Sequence, residues 1–311
     1  MRTGHDMEVT TSYSIIKTDM NPVTTTSDQP PALVYVSNKR YLYLGRTQLR
    51  IRDFHSGASS LVVCLEGTMK FCMPGESHWI SAKSMLISAG SRIGIDNQGA
   101  VISSCYLDAA KPDFLTLKKQ MVSVHRGVYY RHENEDRLIR SLLGLRDDAP
   151  GLNEAQQRIE SIIYPHAADA MANLDARVRH TVERLRSTAA QNISVQALAE
   201  EVGLSASGLI RLFSQHVGAP LRKHRLWYRL IDFVVLSLSG VPTAAAIRAA
   251  GFTDAAHLSR CYSGFFGVNF SYAFSKHTNV RYIYADEPSQ SFLQSPPLTQ
   301  TGTPSVMAAP W

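Results

Sequence analysis

Two glycines, Gly203 and Gly251, stand 48 residues apart, and each separates two short apolar stripes of helical period. The first unit reads ISVQALAEEVGLSASGLIRLFSQHVG, from Ile193 to Gly218. Ser194 is placed to cap a short helix whose apolar stripe is Ala197, Leu198 and Val202, and Ser205 to cap a second with Leu209, Leu212 and Phe213 inward. Gly203 supplies the left-handed backbone that a sharp reversal between them requires. The second unit is GFTDAAHLSRCYSGFFG, from Gly251 to Gly267, where Phe252 plugs the space between helices, Thr253 is the expected cap, and Leu258 and Tyr262 point inward. Between the units, PLRKHRLWYRLIDFVVLSLSG places Leu221, Leu226, Leu230, Val234 and Leu238 at helical intervals and stops at Gly240. One such hairpin is as readily ordinary core. Two at this spacing, on one long helix, describe a double helix-turn-helix domain.

Charge follows the same division. Asp175 to Arg281 holds 13 Lys and Arg against 6 Asp and Glu, whereas Met1 to Leu174 holds 19 against 18. A basic domain beside a neutral one suits contact with phosphates, because Lys and Arg displace counterions condensed on a duplex.

The second unit, through Gly251, Phe252, Thr253, Asp254, His257, Leu258, Ser259, Arg260, Phe266 and Gly267, resembles the AraC/XylS family of bacterial transcription regulators. The likeness covers about Asp175 to Phe274. It departs from the family where Ser263, Gly264 and Phe265 replace a basic pair, where Phe270 replaces a proline, and in the order of Ala246 and Ile247. The resemblance implies a homodimer that binds double-stranded promoter DNA and contacts RNA polymerase, most often as an activator; the four cysteines, in apolar runs without paired spacing, read as reduced core residues of a cytoplasmic protein.

The N-terminal half has a period of two. Leu49 and Ile51 alternate with Arg50 and Arg52, Leu61 to Leu65 is a continuous apolar run, and Met69, Phe71 and Met73 alternate with Thr68, Lys70 and Cys72 around Gly67. Short strands with glycine turns predict a small barrel or sandwich. The run SLVVCLEGTMKFCMPGESHWISAKSMLISAGS looks like the cupin-like arm of the same family. The expected fold is therefore α+β in two domains: an antiparallel β-barrel with flanking helices, then an all-α reader. Expected boundaries are a loosely ordered 1–29, a sensor over 30–110, a helical packing or dimerisation region over 111–165, a linker over 166–174, the reader over 175–281 and a disordered tail over 282–311.

A metal-dependent barrel needs paired histidines and a nearby carboxylate on adjacent strands. His55 and His78 stand alone, and Cys64, Cys72, Cys105 and Cys261 lie in apolar runs without metal-ligand spacing. No cofactor, metal or catalytic residue is expected, no apolar run is long enough to span a membrane, and the start of the chain lacks the apolar stretch of a signal peptide. The barrel is read as a sensor for a small-molecule effector. Met69, Phe71, Trp79 and Tyr106 are candidates to line it, against a bland reading as core, and Arg46 and Arg50 are candidates to meet an anionic group. Leu138, Ile139, Leu142, Leu143 and Leu145 form either a dimer seam or intramolecular core.

In a helix-turn-helix the outward residues near the start of the second helix enter the major groove. Those are Ala206, Ser207, Ile210, Arg211 and Gln215 in the first unit, and Asp254, Ala255, Ala256, Ser259 and Arg260 in the second. Arg211 and Arg260 are the main candidates for base or phosphate contact. The small neighbours leave recognition to methyl contacts and DNA shape. Two alternatives stay open: a cupin-type enzyme with a helical accessory domain, and a DNA-binding regulator controlled by a protein partner.

Overall fold

The computed structural model describes residues 30–284 apart from 38, 167–173, 269 and 275–278. The expectations for 1–29 and for 285–311 lie outside the described residues. The N-terminal part begins with β1 (Ala32–Val36), β2 (Tyr41–Arg46), β3 (Arg50–His55), β4 (Ser60–Glu66), β5 (Lys70–Cys72), β6 (Ile80–Ser81), β7 (Ser84–Ile87), β8 (Arg92–Asp96) and β9 (Val101–Tyr106). After α1 (Asp113–Lys119) come β10 (Met121–His125), β11 (Val128–His132), α2 (Glu135–Asp148) and α3 (Leu152–Ile163).

The strands do not close. They form one sheet in the order β10-β11-β7-β4-β9-β2-β1-β12 and a second in the order β3-β8-β5-β6, where β12 is Val280–Tyr284. The expected barrel is thus two packed sheets. Strand parity explains why β4 is apolar from Leu61 to Leu65: Val62 and Cys64 face the second sheet, with Met69, Phe71, Met85, Ile87 and Ile93, while Leu61, Val63 and Leu65 face the opposite way. That outer face is covered by α2 and α3. Leu138, Leu142 and Leu145 are buried there, with Ile139 and Leu143 half-buried beside them. Leu138, Leu142 and Leu145 of the α2 stripe therefore pack on their own chain.

Residues 111–165 are not all helical. Met121–His125 and Val128–His132 pair as an antiparallel hairpin, joined by Arg126 and Gly127, both at positive φ. That is the mirror-image turn favoured by twisted hairpins, and β-branched and aromatic residues on either side outweigh the helical spacing seen in sequence. Asp113, fully buried, accepts two hydrogen bonds from Arg40 at 2.8 and 2.9 Å and one from the Tyr164 hydroxyl, tying α1 and the end of α3 to the sheet.

The C-terminal part contains α4 (Ala176–Ser187), α5 (Val195–Glu201), α6 (Ala206–Val217), α7 (Leu221–Leu238), α8 (Thr243–Ala249), α9 (Ala255–Phe266) and α10 (Phe270–Ala273). The strand β12 then returns to the first sheet and runs parallel to β1, across the boundary expected at 281. One hydrophobic core spans both parts: Val34, Val36, Tyr41 and Tyr106 of the strands, with Ala58 and Ala89 of the loops between them, pack with the inward residues of α4 to α10.

Candidate nucleic-acid interface

Each expected turn forms with its own chemistry. The Ser194 hydroxyl accepts from the Ala197 amide and the Ser205 hydroxyl from the Gly208 amide, each at 3.1 Å, so α5 and α6 are capped as their sequence implies. Gly203 sits at φ +66° between them. In the second unit Gly251 has φ +81°, and a Cβ there would lie 2.8 Å from the Ala190 backbone. Phe252 is buried behind the turn. The cap differs from expectation: Asp254 accepts from the His257 amide at 2.7 Å, while the Thr253 hydroxyl donates to its other oxygen at 3.0 Å. A carboxylate at a helix start satisfies orphan amides and also meets the helix dipole favourably, so it outcompetes the hydroxyl. The His257 amide, then the Thr253 hydroxyl, hold the Asp254 carboxyl below its ordinary range.

Both units hang on α7. Twelve of its residues are buried, from Leu221 to Leu236. Arg229 on this helix donates to the Ala189 carbonyl at 2.6 Å and to Asn192 Oδ1 at 2.8 Å, fixing the loop that leads into α5. Underneath lies α4, capped by Asp175 through the Arg177 amide at 2.9 Å, with Val178, Thr181, Val182 and Leu185 inward. The cap and this apolar spacing were present in the sequence as signals for α4.

The faces expected to meet DNA are open. Ser207, Ile210, Arg211 and Gln215 on α6 are exposed and Ala206 is half-buried; Asp254, Ala255, Ala256 and Arg260 are exposed at α9, with Ser259 half-buried. Among the described ion pairs none involves Arg211 or Arg260. The Asp254 carboxylate is already engaged at the cap. Arg222, exposed at the start of α7, acts with Arg260 and Arg229 on the Cys261 thiol, which burial pushes up. It places a further cation beside the second reader, signalled in sequence only by the basic run after Pro220.

The candidate effector residues do not converge. Met69 and Phe71 are packed between the two sheets, whereas Trp79 is half-exposed. Arg46 bonds the Gly99 carbonyl at 2.6 Å, and Arg50 lies exposed 3.8 Å from Asp96. Tyr106 lies in the core shared with the helices: its ring stacks on Trp227 at 4.8 Å between centroids, and its hydroxyl donates to the Phe265 carbonyl at 2.9 Å. An open cleft of about 380 Å³, counting solvent at its mouth, lies instead between residues 107–115 and the helices α6 and α7, with Asp108, Lys111, His216 and His224 among its lining. Among the described residues no three His, Cys, Asp or Glu side chains gather as metal ligands, and no helix is long and apolar enough to cross a membrane.

Residues 198–278 match a family described as a helix-turn-helix domain. No curated protein matches the chain. Among solved structures, an apo variant of ToxT from Vibrio cholerae is similar in fold, with TM-score 0.51 and 8% identity over 77% of this chain and 98% of that one. ToxT from the same species with an unsaturated fatty acid bound gives 0.49 at 10% identity, over 76% and 95%. The AraC-like transcriptional activator CuxR gives 0.29 at 13% identity, over 61% and 73%. With two turn glycines, two capped and exposed reader helices and one linker helix in place, the chain carries the helix-turn-helix domain of a DNA-binding transcription regulator and resembles the AraC/XylS family.

Proposed function

We propose that this regulator is a transcription activator whose two readers, α6 and α9, occupy successive major-groove segments on one face of a duplex, with Arg211 and Arg260 as the principal contacts. The observation that carries this reading is that both arginines project from open reader faces and take part in none of the ion pairs among the described residues. Ala206, Ser207, Ile210, Gln215, Ala255, Ala256 and Ser259 complete the two faces. Asp254 acts through the cap. Promoter binding as a homodimer and contact with RNA polymerase follow from the family resemblance, and the same reading makes the chain a non-enzymatic cytoplasmic protein.

Control enters through the N-terminal part, by a small molecule or a protein partner. The shared core supports such control, because a change in the sheets cannot leave Trp227 and Phe265 where they are. The packed space between the sheets favours a signal received at the domain junction, where the cleft beside Asp108 and His224 lies, or by a partner on the surface. Binding to genomic promoter fragments at several salt concentrations tests the reading. Specific complexes whose affinity falls with salt are expected. Sequence-blind or absent binding overturns it, and repeating the titration with candidate small molecules separates the two forms of control.

A further inference from the structure

Beyond that reading, one segment of the chain does work that the helix-turn-helix units do not explain. β12 follows the last helix of the reader, yet its ladder is with the sensor: Val280, Arg281, Tyr282, Ile283 and Tyr284 pair in parallel register with Ala32, Leu33, Val34, Tyr35 and Val36. The Ala32 amide donates to the Asn279 carbonyl at 2.9 Å, which sets that register. The side chains of β12 then reach back to the reader. The Tyr284 hydroxyl donates to the Leu238 carbonyl at the end of α7 at 2.9 Å, the Tyr282 hydroxyl to the Ala273 carbonyl at 3.2 Å, and the Tyr282 ring stacks on Phe274 at 5.7 Å between centroids. A single strand thus bonds one domain with its backbone and the other with its side chains.

We propose that the free edge of β1 is a strand-docking site whose occupant is the chain's own β12, and that this strap is a regulatory latch setting how the reader domain is held on the sensor. An edge strand offers a row of unpaired amides and carbonyls that another strand fills. Here the strand that fills it is the edge of the sheet in its turn, so it can leave without disturbing β1 or β2. Its docking also closes a long excursion of the chain, since residues 32 and 280 bracket nearly all the described structure. The second reader is pinned to the sensor from the other side as well: a Cβ on Gly57 would fall 2.0 Å from the Phe265 ring, and one on Gly267 would fall 2.6 Å from Ile51 Cδ1. α9 is therefore held at its C-terminal end while its N-terminal face stays open. With the latch docked, the sensor and both readers move as one body. With it undone, the reader domain is retained by the aromatic junction, the packing of Gly267 on Ile51 and the Arg186–Asp108 ion pair.

The latch rests on the DNA-reading proposal, so the test carries its own control. Three full-length-derived proteins are compared: one ending at Tyr284, one ending at Asn279, and one carrying Ile283→Pro in the complete chain. By the parity that the Asn279 bond fixes, Ile283 turns its amide toward β1, and proline removes that donor. Helical content and unfolding midpoint establish that each protein is folded. The protein ending at Tyr284 is expected to bind its promoter fragment like the parent, and the other two are expected to differ from it in affinity by fivefold or more, the range of an ordinary coupling, and to be cleaved faster by protease. If the protein ending at Tyr284 binds no promoter DNA, the DNA-reading proposal fails. If it binds and both latch variants match it in affinity and in cleavage, the latch is overturned.

Discussion

Gly203 and Gly251 occupy equivalent turns at nearly the same φ, yet they carry different constraints. A Cβ at Gly203 would meet nothing within 4 Å, whereas at Gly251 it would strike Ala190 and approach Arg229. Gly203→Ala is therefore expected to cost only the left-handed backbone penalty, about 1–2 kcal/mol, and Gly251→Ala distinctly more, because the backbone must also move. Denaturant midpoints of the two variants check the order, and equal losses would show that the close approach to Ala190 does not matter. Arg211→Ala and Arg260→Ala should leave stability almost unchanged, since neither side chain has an internal ion-pair partner among those described, while each relaxes base preference by about 1–3 kcal/mol if its guanidinium pairs with a guanine edge. Selection of binding sites from a random duplex pool reads this directly. An unchanged preference in both would remove the two arginines from the recognition surface. The turn residues and reader positions were legible because turn backbone and helix caps are local chemistry. The Asp254 cap was not, since two adjacent residues could each cap and only the backbone geometry chooses.

The helices α2 and α7 show what amphipathic spacing leaves undecided. The stripe Leu138, Leu142 and Leu145 was visible in sequence, but a stripe states only that something covers it. The cover is the outer face of β4 and its neighbours. Leu145→Ala should lower stability by about 2–5 kcal/mol, independently of protein concentration. A loss that shrinks as concentration rises would return the stripe to a subunit interface. On α7, His224 is buried between the rings of Phe213 and Tyr228, and neither ring nitrogen has a hydrogen-bond partner among the described residues. Burial, reinforced by the charge of Arg186, pushes its pKa down to about 3. An unfolded imidazole titrates near ~6.5, so as pH falls the unfolded chain takes the proton first. The neutral ring's contribution is complete above about pH 6.5 and is lost progressively as pH falls toward 3, with a slope approaching ~1.4 kcal/mol per pH unit. His224→Phe keeps a ring in the slot and should flatten stability between pH 6.5 and 4 relative to the parent. Parallel curves would show that this histidine does not titrate on unfolding. The β10-β11 hairpin is the opposite case: spacing over Phe114 to Val124 suggested helix, and pairing with β7 made part of it strand.

At the scale of the molecule the deciding feature is the junction. Tyr41, Tyr106, Trp227, Phe265 and Phe266 form one aromatic group drawn from two strands, the linker helix and the second reader. Asp108, buried just past the end of β9, accepts from Arg186 of α4 at 2.8 Å. Trp227→Ala should cost about 3–5 kcal/mol, and it should lower hydrogen-exchange protection in β2 and β9 as well as in α7. Loss confined to the helices would mean that the domains unfold separately. Local sequence was sufficient for the reader: capping residues, turn glycines and a 3.6-residue period act within a few positions of the chain, and they specified both helix-turn-helix units before any contact was known. The sheets that stay open, the partner of the α2 stripe, the place of Tyr106 between domains and the return of β12 to β1 all depend on residues tens to hundreds of positions apart. Such contacts are chosen by which buried surfaces and unpaired edges find each other, so only the tertiary structure decided them.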